Sequence, residues 1–200
     1  MQTALQFKAL LHKHLPDQAV GYCFDLWQSH PFNFKLKKSR QSKLGDYRYN
    51  PKDKSHVITL NHDLNKYAFL VTYIHEVAHL ITYLEFGRKV PPHGTAWKNN
   101  FKRLFIPMLN NEVLPDLILR TLAKHLKNPK ASSCADPALY RTLSQFDNEP
   151  KVFLSDIAVG ASFQLGNRIF KKENLRRTRY VCEEIKTGRK YLISKSAQVK

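Results

Sequence analysis

The segment Tyr67–Phe86 is long and almost wholly apolar, yet it carries His75, Glu76 and His79 at its centre. This combination restricts the fold more than any other stretch of the chain. Charges are expensive in lipid, so the segment is expected to be a buried core helix and not a membrane span. On a helix, residues four apart lie one turn up the same face, so the imidazoles of His75 and His79 can bind one metal ion. Glu76 stands one position round from His75 and can reach a water at such an ion without taking a coordination position. With 9 His in the 200-residue chain and 7 Glu among its acidic residues, a chance His-Glu-x-x-His is expected about 0.01 times. An unpaired His and Glu would also be costly to bury in an apolar helix. The pattern is read as a catalytic metal site, with Glu76 as general base.

A catalytic zinc site needs a third protein ligand and an open position. His93 is the candidate, fourteen residues beyond His79. Gly87 stops the helix, Val90-Pro91-Pro92 turns the chain back, and Gly94 allows a close backbone approach. The metzincin spacing would need Gly at 82 and His at 85, where Thr82 and Glu85 stand. Glu112 is a weaker candidate because it lies beyond Pro107, which breaks the helical pattern.

The remaining sequence divides into zones. The N-terminus lacks the apolar run of a secretory signal and reads as a short amphipathic helix with Leu5, Leu11 and Leu15 among its apolar positions. Two or three strands follow, one pair around a Gly45-Asp46 turn and one ending at Asn61. Asn65 caps the core helix, Thr95 caps a second carrying Trp97, Phe101 and Phe105, and Pro115 opens a third. Residues 129–150 read as a connector with one helical turn around Leu139–Phe146, and 151–200 as strands separated by Gly-Asn and Thr-Gly turns. The fold class is therefore α+β with a small C-terminal β appendage. Three cysteines far apart, Cys23, Cys134 and Cys182, form neither a disulfide framework nor a Cys-based zinc site and point to the cytosol. Cys182 reads as a buried strand residue.

His-Glu-Val-Ala-His-Leu followed by Pro-Pro-His-Gly-Thr-Ala-Trp-Lys resembles the SprT-like zinc metalloproteases, which include Spartan. The upstream KLGDYRY and ITLN are similar to that family's strand region, and the resemblance spans roughly residues 1–128. It implies a compact zincin-like core of helices and a small sheet. It implies one catalytic zinc held by His75, His79 and His93, with Glu76 as acid/base. The implied activity is zinc-dependent endopeptidase cleavage of DNA-associated or DNA-crosslinked proteins, a step in crosslink repair. Many members carry a four-Cys zinc ribbon at the C-terminus, which Cys182 alone cannot form.

Charge bears on partners. The chain holds 33 Lys and Arg against 16 Asp and Glu, a net +17, which attracts polyanions. Two basic clusters are candidate nucleic-acid contacts: Lys37, Lys38 and Arg40 with Lys35 and Lys43, and Lys171, Lys172, Arg176, Arg177 and Arg179 with Arg168. Phe170 and Tyr180 are interleaved with the second and can stack on bases. The alternatives are a non-enzymatic nucleic-acid-binding protein with a structural zinc, and a general cytosolic metallopeptidase. Protein substrates and DNA are the expected partners, without a membrane. The expected location is the cytoplasm, with the nucleoid in a bacterium. Tyr73, Tyr83 and His62 are equal candidates for stabilising the oxyanion.

Overall fold

The computed structural model describes residues 3–40, 43–132, 135–149 and 151–200. Cys134 and Pro150 lie outside the described residues. The chain forms two compact units, one running to Phe146 and one from Asp147 to Lys200. The architecture is mixed α+β, compatible with a zincin-like core.

The first unit is built on the apolar helix α3 (Lys66–Phe86), whose residues are buried on every side from Ala68 to Ala78. A helix apolar all round belongs in a core. The Asn65 carboxamide oxygen caps it by accepting from the N–H groups of Tyr67 and Ala68 (3.1 and 2.9 Å), and Gly87 ends it at φ +62°. No helix among the described residues is long and apolar enough to cross a membrane. Helices α1 (Ala4–His14) and α2 (Asp17–Ser29) precede the sheet. Phe7 of α1 packs against Trp27 of α2 and against Phe34 of the first strand (4.9 and 5.4 Å between ring centroids). Leu11 and Leu15 are buried as expected, but Leu5 is 81% exposed and contributes nothing to this core.

Strands β1 (Asn33–Lys37), β2 (Gly45–Asn50) and β3 (Ser55–Asn61) form a sheet of order β1-β3-β2, with β1 parallel and β2 antiparallel to the central β3. Gly45 and Asp46 are therefore not a hairpin turn. They open β2, opposite Leu60 and Thr59. β1 and β2 do not pair because β3 fills the place between them.

Helix α4 (Thr95–Phe105) follows, and its N-cap is Gly94, not Thr95. Asn100 ties it to α3 by donating to Thr82 Oγ1 and Glu85 Oε2 (3.1 and 2.7 Å). A 3-10 turn at Ile106–Met108 covers Pro107, and α5 (Asp116–Lys127) starts after Pro115. Helix α6 (Pro137–Ser144) lies in the stretch expected as a connector, yet Leu139 and Leu143 are buried in the core of the first unit.

The second unit holds β4 (Val152–Phe153), β5 (Ser162–Leu165), β6 (Arg168–Arg176), β7 (Arg179–Glu184), β8 (Lys190–Ser194) and β9 (Gln198–Val199). β5 to β8 form an antiparallel meander, and β4 pairs with β9. Its small core contains Leu154, Phe163, Phe170, Cys182 and Val199. Two expectations are corrected here. Phe170 is fully buried and cannot stack on a base. Lys172 is 2% exposed and cannot meet a phosphate; its ammonium donates to the carbonyls of Leu154 and Ile157 and lies 3.8 Å from the Tyr180 ring centroid. Alternation along β6 sends 170 and 172 to the same inner face.

Candidate metal centre

Helix pitch and a tight turn bring three histidines together. His75 and His79 share a face of α3. His93 arrives through the turn Pro91-Pro92-His93-Gly94, closed by Gly94 N–H donating to Pro91 O (3.1 Å). His93 sits at φ +58°, uncommon for a residue with a side chain. Gly94 is required beside it, because a Cβ there would come within 2.9 Å of Pro91 Cγ and 3.0 Å of Pro91 O. Trp97 is fully buried, with ring centroids 4.7, 5.3 and 4.7 Å from those of His75, His79 and His93. Its indole N–H donates to His75 O (3.4 Å).

The three Nε2 atoms lie 3.2 Å (His75–His79), 2.9 Å (His79–His93) and 3.2 Å (His75–His93) apart. Burial, and after it the neighbouring imidazoles, holds His75 well below the ordinary histidine value and His79 down to about 3. Burial also lowers His93. The rings are thus neutral at neutral pH, and each Nε2 is either a donor or an acceptor. Three points of two kinds cannot avoid at least one donor–donor or acceptor–acceptor contact. A cation bound by all three lone pairs removes the conflict. Tetrahedral ligands at about 2.05 Å from one ion would be ~3.3 Å apart, close to the separations found. His75, His79 and His93 are the cluster of potential metal-binding side chains found among the described residues. Imidazole donors suit zinc and other late divalent metals.

Glu76 is 6% exposed and faces the same cleft. Burial, with the Asp46 carboxylate adding to it, pushes its carboxyl up to about 8, while the Tyr47 backbone N–H, Arg40 and Lys43 act in the other direction. Strand β2 runs directly over it. A Cβ on Gly45 would sit 2.5 Å from Glu76 Oε1 and 2.6 Å from Thr72 Cγ2, so no other residue fits without displacement. The sequence reading missed this role by taking Gly45 for a turn; the signal was a glycine opening the Tyr47/Tyr49 alternation, which marks a close backbone approach.

The cleft has a volume of about 640 Å³. Tyr47 forms part of its wall, with its ring parallel to that of His79 (6.4 Å, 3°), and Tyr83 lies beside it. Tyr73 is fully buried and its hydroxyl donates to Cys23 O (2.8 Å). His62 is exposed with Nδ1 against Lys37 O (3.2 Å). Of the three oxyanion candidates only Tyr83 lines the cleft.

The basic candidates are dispersed. Lys37 and Lys38 are exposed in the first unit, while Arg40 is half-buried and donates to Asn61 Oδ1 and Thr59 Oγ1 (2.8 and 3.2 Å). Lys171, Arg176, Arg177 and Arg179 are exposed in the second unit. The family model of the SprT-like family matches residues 12–113, just over half of the chain, and includes all four residues of the centre. No curated protein and no solved structure gives a significant match.

Proposed function

The chain belongs to the SprT-like family, and from that premise we propose that it is a zinc-dependent endopeptidase acting on DNA-associated or DNA-crosslinked proteins. The observation that carries this reading is the convergence of three neutral imidazoles beside a buried glutamate in an open cleft. Three protein ligands with a remaining open position match a catalytic zinc, whereas structural zinc sites are usually closed by a fourth. Bound zinc would supply Lewis-acid polarisation of the scissile carbonyl and lower the pKa of water.

The residues of the chain do the rest. Glu76, drawn back to its ionised form by a cation held at the three histidines, accepts the proton of the attacking water and returns it to the leaving amine. The Tyr47 N–H hydrogen-bonds the Glu76 carboxylate and fixes its orientation. His75, His79 and His93 would hold the ion, and Trp97 packs against all three rings and restricts their movement. The DNA half of the reading rests on the net +17 charge, which favours meeting proteins on a polyanion.

The test is cleavage of a DNA-bound protein, with and without the DNA, by wild type and Glu76→Gln. The variant should retain zinc and lose at least about 10²-fold in rate. Cleavage at the wild-type rate would remove the mechanism. Equal cleavage with and without DNA would leave a general metallopeptidase.

A further inference from the structure

The cleft follows α3 from Val71 past His75 and His79 to Tyr83, then continues beyond the helix end to Gly87 and Arg88. Its charged groups are not alike. Lys43 pairs with Asp46 Oδ1 (2.7 Å), and Arg48 closes on the other oxygen (2.6 Å). Glu76 is buried under β2. Arg88 is exposed, lines the cleft, and has no carboxylate partner among the described residues. The cleft wall also holds Tyr83, Val90, Pro91 and Pro92. Low-dielectric walls focus the field of a cation into a cleft. The planar guanidinium fork matches a carboxylate with two parallel hydrogen bonds.

We propose that Arg88 is a specificity-determining residue that selects a carboxylate on the peptide bound in the cleft, about three residues from the scissile bond. This rests on the endopeptidase reading. The spacing takes the helix end as the position of Arg88, which follows it by two residues: the seven steps from His79 to Phe86 rise about 10 Å. An extended peptide advances about 3.4 Å per residue. The carboxylate is either an Asp or Glu side chain or the free C-terminus of the substrate, since both present the same planar anion.

The experiment uses the full-length zinc-loaded protein and a set of labelled peptides. Each carries one Glu, Gln or Lys at two, three or four residues on either side of a common cleavable core, in free-acid and C-terminally amidated forms. Wild type should prefer Glu over Gln by about fivefold in kcat/KM at the three-residue position, the upper end for an exposed ion pair, and the preference should shrink with salt. Arg88→Glu should invert the order so that Lys is preferred, and Arg88→Lys should keep Glu first. An effect confined to free-acid peptides assigns the anion to the chain terminus. No Glu preference in wild type, or a preference that survives Arg88→Glu, overturns the proposal.

Binding of the same peptides to Glu76→Gln with and without Arg88→Glu, read by fluorescence anisotropy, reports on Arg88 independently of cleavage. If no peptide is cut but the Glu preference appears in binding, the endopeptidase reading fails and the carboxylate site stands. If a short DNA strand displaces the peptide from the Arg88 protein only, the anion is phosphate and the proposal falls.

Discussion

Gly45 illustrates how much can rest on one missing side chain. The three atoms a Cβ would strike belong to Glu76 and Thr72, both buried, and the Thr72 hydroxyl is already donating to Ala68 O (2.7 Å). Neither can retreat, so Gly45→Ala must lift β2 from α3. The expected cost is about 1–3 kcal/mol of stability. The expected loss in kcat is at least about tenfold, because small misplacements of a catalytic group are costly. Thermal denaturation, zinc content and kcat separate the effects: zinc should stay bound, since Gly45 touches no histidine. Wild-type kcat in the variant would refute this account. At this scale the sequence was informative where chemistry and spacing are local. His75, Glu76 and His79 are fixed by helix pitch, and Pro91-Pro92-His93-Gly94 is a recognisable turn. It was uninformative for Lys172, whose charge suggested solvent although the side chain is buried and its ammonium is satisfied by the carbonyls of Leu154 and Ile157.

At the scale of elements, α6 shows a short helix held by its cap. The Asp136 carboxylate accepts from Ala138 N–H and Leu139 N–H (3.1 and 3.3 Å) and from Nδ1 of the buried His125 (2.8 Å). Burial alone would raise its pKa, but the His125 and backbone hydrogen bonds outweigh it and hold the carboxyl below its ordinary 3.8. A carboxyl depressed on folding contributes stability that is fully present above its unfolded value and is lost as pH falls through the folded one. Asp136→Ala should therefore cost about 1–3 kcal/mol near neutrality, and the gap from wild type should narrow only below about pH 4. Urea denaturation between pH 3 and 7 measures this; a gap that closes at pH 6 would contradict it. Helix α2 was not foreseen. Its sequence, DQAVGYCFDLWQS, places Gly21 and several aromatics where helix propensity is poor. Its place is secured by contacts from outside, including Trp27 on Phe7 and the Tyr22 hydroxyl donating to Leu104 O (2.8 Å).

For the whole molecule the charge is shared between the units. Residues 1–146 hold 21 Lys and Arg against 10 Asp and Glu, and residues 147–200 hold 12 against 6. Neither unit alone accounts for the excess. On the DNA reading, replacing Arg176, Arg177 and Arg179 together by Ala in the full chain should lower the slope of log affinity against log salt by about 2–3. Fluorescence anisotropy across a salt series measures it, and an unchanged slope would exclude these arginines as phosphate contacts. The sequence by itself determined the apolar core helix, its cap, the spacing of the metal-binding pair, the turn bearing the third histidine and the β character of the last fifty residues. Each is set by interactions within a few positions along the chain. Only the tertiary structure decided the strand order β1-β3-β2, the passage of β2 over Glu76, the burial of Lys172 and Phe170, and the isolation of Arg88 in the cleft. These depend on which distant segments meet, and packing between them leaves no period in the sequence to read.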